Sequence, residues 1–378
     1  MTGNQIDLLV IGEGLSGITA AAAAAGQGSR VMLVSTGPGT FVLGTAGVDL
    51  DGLATRGLGF GKYDADEIEE AIAFFAELSA SAGCAFQGGL QDQRLVPTIM
   101  GTFQSVSMAP HSLWKGDPRG LAKVAVVGIE AMSGFDAAFV TDRLSLHSRQ
   151  MNLDTSYRSA VVKLPEDHPH ALTAVEVADH VDRDPAYRDA LAGALKNVVQ
   201  DAELLIIPGI LGMKSGDDDV RQFEEDIGCP ICELSTMPPS VPGLRLLRRF
   251  ERRLSELGVE VCTGFSVQKL CLENDQCTGI LLDTPGRPRR ISAEAVVLAC
   301  GRFSRLLEGH TPEDGLSPRV TEELQPVSGD GQVIARNLYE CGSVLGESEP
   351  RHGNAIAILS GYRVAMLASK QGVQYAGR

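Results

Sequence analysis

The chain has 378 residues, 43 of them glycine, and a net charge of −15. That length suits one large or two ordinary domains, and a hydrophobic fraction of 44% is that of a globular protein. The negative charge argues against nucleic acid and against direct docking on an anionic membrane. No apolar run reaches the roughly 18 residues of a spanning helix, and the N-terminal apolar stretch lacks a basic leader, so a cytoplasmic location without direct membrane insertion is expected.

Residues Ile6 to Ile11 form a nearly continuous apolar run, the pattern of a strand buried on both faces. Gly12, Gly14 and Gly17 follow with the spacing G-x-G-x-x-G, then an Ala-rich helix over Thr19 to Ala25 and a second strand over Arg30 to Val34. In this context each glycine has a task. Gly12 allows the sharp turn, Gly14 lets the backbone approach a phosphate, and Gly17 lets the helix pack close to the strand. The helix N-terminus offers N–H groups and a positive dipole end to that phosphate. A nucleotide or flavin phosphate site is therefore expected, with a phosphate-free structural turn as the bland alternative. The acid that usually closes the second strand and bonds the ribose is missing, because Ser35 and Thr36 stand there. Either Ser35 or Thr36 bonds the ribose or no adenosine ribose sits there, which leaves FMN open.

A Gly-rich connection over Gly37 to Gly61, centred on GTAGVDLDG, reads as a loop against a ligand or as a surface loop. A helix is expected over Asp64 to Ala82, with Ile68, Ile72, Phe75 and Leu78 on one face. The stretch after Cys84 holds short extended pieces and His111, an isolated histidine that is more often structural than catalytic. Strands are then expected at Leu121–Ile129, Arg158–Leu164 and Glu203–Pro208. Helices are expected at Ser133–Leu146, Thr173–Val181 and Pro185–Val199. Asp217, Asp218 and Asp219 read as a helix start rather than a metal site. A helix over Gly243–Leu257 carries Arg245, Arg248, Arg249, Arg252 and Arg253, most simply a solvated or partner-facing side. Strands at Val259–Thr263, Val267–Glu273, Gly279–Leu282 and Ile291–Ala299 follow, and a last helix runs from about Asn354 to Gln371. Of the eight cysteines only Cys229 and Cys232 have CxxC spacing, so reduced core thiols are expected and no metal site within the chain.

The order of these parts resembles the two-dinucleotide-fold flavoproteins, the group of fumarate reductase flavoprotein subunits. More narrowly, it resembles the B-subunit family of the anaerobic glycerol-3-phosphate dehydrogenase. The pieces that carry the resemblance are VIGEGLSGITAA, GTAGVDLDG, KVAVVGI, STMPPSVPGLRLLRRFERRL, VVLACGRF and NLYECGSVLG, spread over nearly the whole chain. The first and VVLACG are generic to flavoproteins; the MPPSVPG helix and GSVLG are more particular.

The resemblance implies an α/β fold: a Rossmann-like FAD/NAD(P)-binding domain with a central parallel sheet, split over 1–84 and 236–378, and an inserted α/β region over 85–235. It implies a flavin, FMN or alternatively FAD, and a complex with two partner subunits, a larger one that bears FAD and an iron–sulfur one. That complex oxidises sn-glycerol 3-phosphate to dihydroxyacetone phosphate and passes electrons toward quinone, peripheral on the inner membrane through partners. By position, Gly12, Gly14 and Gly17, with Leu15 and Ser16 between them, face the flavin phosphate. Gly47 lies near the ring, Gly301 closes on the cofactor, and Gly342 and Ser343 border the isoalloxazine. Gly353 and Asn354 open the last helix. The sequence departs from the family just before that helix, where Glu349-Pro350-Arg351-His352-Gly353 holds a single glycine. Arg351 or His352 supplies positive charge there in place of bare backbone, or the bulk excludes a flavin. His352 and, more weakly, His111 are the candidate bases. The alternatives are a non-catalytic flavin-fold scaffold or electron-transfer subunit, and a flavin oxidoreductase for another small hydroxy acid.

Overall fold

The computed structural model of the chain describes residues 6–44, 46–51, 63–130, 132–164, 171–301, 306–307, 320–345 and 352–376. Two compact units emerge. The first comprises Met1–Thr40, Leu50–Leu78 and Phe250–Arg378, the second Phe41–Asp49 and Ser79–Arg249.

The chain opens the first unit with β1 (Ile6–Glu13), α1 (Leu15–Gly26) and β2 (Val31–Pro38). β1 and β2 pair in parallel, Leu9 beside Met32 and Ile11 beside Val34. Leu8 to Ile11 and Val31 to Val34 are all buried, as a central strand covered on both sides requires. In α1 the run Ala20 to Ala24 is buried, small side chains that admit a close neighbour. Phe41–Asp49 belongs to the second unit, and the chain leaves for that unit again within α2 (Ala65–Ser81).

The second unit begins with two short antiparallel ribbons. β3 (Phe86–Gly88) pairs with β6 (Met108–Pro110), and β4 (Arg94–Pro97) pairs with β5 (Phe103–Val106). The short α3 (His111–Trp114) leads into β7 (Lys123–Ile129), α4 (Ala137–Gln150), β8 (Ser156–Val162), α5 (Ala174–Arg183), α6 (Pro185–Asn197), β9 (Leu204–Pro208), α7 (Asp217–Ile227) and β10 (Ile231–Leu234). Its four-stranded sheet is wholly parallel, in the order β10-β9-β7-β8. The period of two divides its side chains between two cores. Ala125, Val127, Leu205, Ile207 and Ile231 pack into one. Val124, Val126, Leu204, Ile206, Cys232 and Leu234 pack into the other. Sequence-expected helix starts shift to where caps exist. α4 begins at Ala137, not Ser133, because the Asp136 carboxylate accepts from the amides of Ala138 and Phe139. β10 is absent from the sequence-based expectation: four residues, one of them Glu233, make a weak strand signal.

The chain returns to the first unit within α8 (Val241–Glu256). There β11 (Glu260–Thr263), β12 (Val267–Glu273), β13 (Gln276–Leu282), β14 (Arg289–Leu298) and β15 (Leu338–Glu340) complete a seven-stranded mixed sheet. Its order is β11-β2-β1-β14-β13-β12, with β15 beside the C-terminal half of β14. β11, β2, β1, β14 and β15 run parallel, and β12 and β13 form an antiparallel hairpin edge. The final helix α9 (Gly353–Ala376) packs on α1. Gly361 is what allows that approach, since a Cβ there would lie 2.4 Å from the Ser16 carbonyl oxygen. This is the α/β fold with a central parallel sheet that the sequence implies. No helix among the described residues is long and apolar enough to cross a membrane.

Candidate functional site

The glycine turn at the C-terminal end of β1 is built by exclusion of side chains. Gly12 has φ +115, and a Cβ on it would lie 2.3 Å from the Ala299 carbonyl oxygen. A Cβ on Gly17 would lie 1.9 Å from the Gly12 carbonyl oxygen. Both positions exclude even alanine. Gly14 differs: a Cβ there meets nothing within 4 Å. It caps α1 with no side-chain hydrogen bond, and no acidic residue stands in the first turn. The helix therefore presents first-turn amides and its positive dipole end beside open space. The expected tasks of Gly12 in the turn and of Gly17 in the close packing of α1 are visible in their contacts.

The same face gathers three other sequence-predicted positions. Gly301, with φ +74, follows β14, and a Cβ on it would lie 3.6 Å from the Ser343 hydroxyl. Gly342, with φ +82, donates its amide to the Ser360 hydroxyl at 2.8 Å, and a Cβ on it would lie 2.3 Å from the Ser16 hydroxyl. Leu15 and Ser16 are both buried, Ser16 beneath Gly342 and against Gly361. Ser343 is half-buried in the 3₁₀ turn Gly342–Leu345. Gly353 and Asn354 open α9, and His352 just before it is buried with no hydrogen-bond partner at Nε2. Gly12, Ser16, Gly17, Gly301, Gly342 and Ser343 thus form one contiguous cluster in the first unit.

Gly47 belongs to the second unit, beside Val48, which bridges to Met108. Thr36 is exposed at the end of β2. Ser35 is buried, and its hydroxyl donates to Glu13 Oε2 at 2.8 Å. Arg351 lies outside the described residues.

His111 lines a small pocket of the second unit with Cys84, Ser112, Ser215, Asp217 and Arg245. Burial, aided by Lys115, lowers the His111 pKa, and burial raises that of Asp217. Arg245 corrects the reading of its arginine run as a solvated face. It is buried, with Nη1 and Nη2 donating to Glu233 at 2.6 and 3.0 Å and Nε donating to the Gly212 carbonyl at 2.8 Å. Glu233 Oε1 also accepts from the amides of Ile210 and Leu211. Arg249 likewise donates to the Lys214 carbonyl. The eight cysteines are free, and Cys229 and Cys232 turn to different carbonyls, Ala202 and Leu113. Among the described residues no three His, Cys, Asp or Glu side chains are arranged to hold a metal.

A family model described as FAD binding domain matches residues 7–56 and 165–337, more than half of the chain. The chain belongs to the FAD-binding-domain family. It is similar over nearly its whole length to proteins named as the B subunit of anaerobic glycerol-3-phosphate dehydrogenase. The protein of that name from Pectobacterium atrosepticum is 25% identical, over 97% of this chain and 99% of the relative. A probable B subunit from Halobacterium salinarum is 26% identical, over 97% and 98%. Among solved structures, L-proline dehydrogenase from P. horikoshii aligns over 97% of this chain and 94% of its own with 12% identity and a TM-score of 0.42. Family membership supports a flavin cofactor, FAD; the expectation of FMN finds no support in these likenesses.

The buried acid that sequence reasoning passed over is Glu13, between the first two glycines. The signal was present: an acid inside the glycine motif, and none where β2 ends.

Proposed function

We propose that this chain is the flavoprotein subunit of a glycerol-3-phosphate dehydrogenase-like complex, with FAD held by its first unit. The complex oxidises sn-glycerol 3-phosphate to dihydroxyacetone phosphate and relays electrons toward quinone. Its partners are a larger FAD-bearing subunit and an iron–sulfur subunit, through which it is peripheral on the membrane. The observation that carries the flavin reading is the cluster just described. A helix N-terminus without a side-chain cap begins at Gly14, whose Cβ direction is open, the Gly342–Ser343 turn lies against Ser16 of that helix, and Gly301 lies against Ser343. The substrate and the complex rest on near-full-length similarity to the B-subunit proteins.

A bound flavin would supply an acceptor for the hydride equivalent of the alcohol carbon. The chain's own residues do the rest. The first-turn amides of α1 hold pyrophosphate. Gly12, Gly17 and Gly342 let the turn, α1 and the Gly342–Ser343 segment pack against one another, since a Cβ on each would strike the chain itself. Buried His352 has a spare ring nitrogen, Nε2, at which it holds or takes a proton, and it stands where the α9 dipole also favours negative charge.

The test is glycerol-3-phosphate-dependent reduction of a dye by the chain co-expressed with its partner subunits. Activity in the complex that His352→Ala lowers by tenfold or more supports the reading. A complex that carries FAD yet oxidises a different hydroxy acid refutes the substrate while leaving the cofactor.

A further inference from the structure

Glu13 is 2% exposed and sits where three neighbouring parallel strands end. Its Oε2 accepts from Ser35 of β2 (2.8 Å) and from Thr263 at the end of β11 (3.1 Å). Ser35 and Thr263 are themselves register partners on adjacent strands. A bulge at Gly12 delivers the side chain there. The β1/β2 register jumps from Ile11–Val34 to Glu13–Pro38, which ties the Glu13 backbone to the extension of β2. Gly39 then lies against the turn, where a Cβ would be 2.4 Å from Gly14 Cα.

The other oxygen, Glu13 Oε1, is buried and has no hydrogen-bond partner. Leaving a buried carboxylate oxygen unpaired forfeits its hydration with nothing in return, so native structures seldom do it without a reason. Open space lies beside the next residue, Gly14, and beside Gly37, two residues after Ser35. The place is the one where a dinucleotide fold carries the acid that binds the adenosine ribose, at the C-terminal end of the second strand. Here Ser35 stands within β2, which runs on to Pro38, and no Asp or Glu occurs between Glu13 and Asp49.

We infer that Glu13 is the ribose-binding carboxylate of this chain, moved from the end of β2 into the glycine turn, with Oε1 accepting a hydroxyl of the adenosine ribose and so favouring FAD over FMN. Ser35 and Thr263 are positioning residues, since they orient the carboxylate by holding Oε2. The inference rests on the flavin reading above but makes a separate claim, because FMN has no adenosine ribose and owes nothing to Glu13.

The test measures the affinities of the flavin-stripped full chain for FAD and for FMN, with Glu13→Gln as the variant. Glutamine keeps an acceptor for Ser35 and Thr263 and replaces the charged Oε1 by an amide. FAD affinity is expected to fall at least tenfold and FMN affinity to stay within twofold. A second measurement needs no variant: ADP should displace FAD at a concentration at least tenfold lower than 2′,3′-dideoxy-ADP does. If Glu13→Gln fails to fold, this comparison decides alone. Equal losses for FAD and FMN, no loss for either, or equal potency of the two ADP compounds overturns the inference. If the unaltered chain takes up neither flavin, the flavin reading itself falls and Glu13's role falls with it. If it takes up FAD and the variant matches it, only the role of Glu13 is refuted.

Discussion

Each unit buries a glutamate where parallel strands end, and the two glutamates are treated in opposite ways. In the second unit Glu233 is saturated. Two backbone amides and both terminal nitrogens of Arg245 take its oxygens, and the guanidinium's Nε is committed to Gly212. Neither of its oxygens is left without a partner. In the first unit Glu13 gives one oxygen to two hydroxyls and keeps the other free, beside glycines that leave space. Burial alone does not mark a functional acid. What marks it is burial with hydrogen-bonding capacity left over.

Breaking the saturated pair should give the largest effect on stability. Glu233→Ala leaves the Arg245 charge and two amides buried without partners and should cost about 3–5 kcal/mol in urea denaturation. A loss under about 1 kcal/mol would mean that the pair is hydrated rather than buried. On the other side of the comparison, Gly14→Ala places a methyl group in open space. It should cost about 1 kcal/mol or less, through the weaker N-cap, yet lower FAD affinity tenfold or more. A Gly14→Ala variant that binds FAD normally would show that the backbone at Gly14 is not approached by the cofactor.

The smallest effect concerns pH. The folded-state pKa of His111 lies below its ordinary 6.5, chiefly through burial. A lowered pKa means that the folded state binds fewer protons than the unfolded one. The stability it contributes is present above pH 6.5 and is lost as pH falls through the folded-state value. His111→Gln should flatten the stability profile of the chain below that ordinary value by a fraction of what Glu233→Ala removes. An unchanged profile would mean that His111 titrates as if it were exposed.

How much of this was legible beforehand depended on whether the signal was local. The β1–α1–β2 unit was readable because an apolar run, three glycines and a run of alanines lie within twenty-one residues, Ile6 to Gly26, of one another. The helix over Ala65–Ser81 was readable from its apolar spacing. Long-range partnerships were not. Arg245 sits in a row of arginines at helical spacing and looks like its solvated neighbours. Only Glu233, twelve residues earlier in a four-residue strand, explains why it turns inward. Glu13 looked like an interruption of an apolar stretch until β2 and β11 brought Ser35 and Thr263 to it. Gly301, Gly342 and Ser343 were named through resemblance, and their meeting with the glycine turn depends on backbone approaches that no spacing in the sequence displays.

The most direct measurement is to purify the full chain, release its cofactor by heat and identify it by mass. The account predicts FAD, or a colourless chain that takes up added FAD in preference to FMN. A chain that retains only FMN, or that takes up no flavin at all, would contradict it.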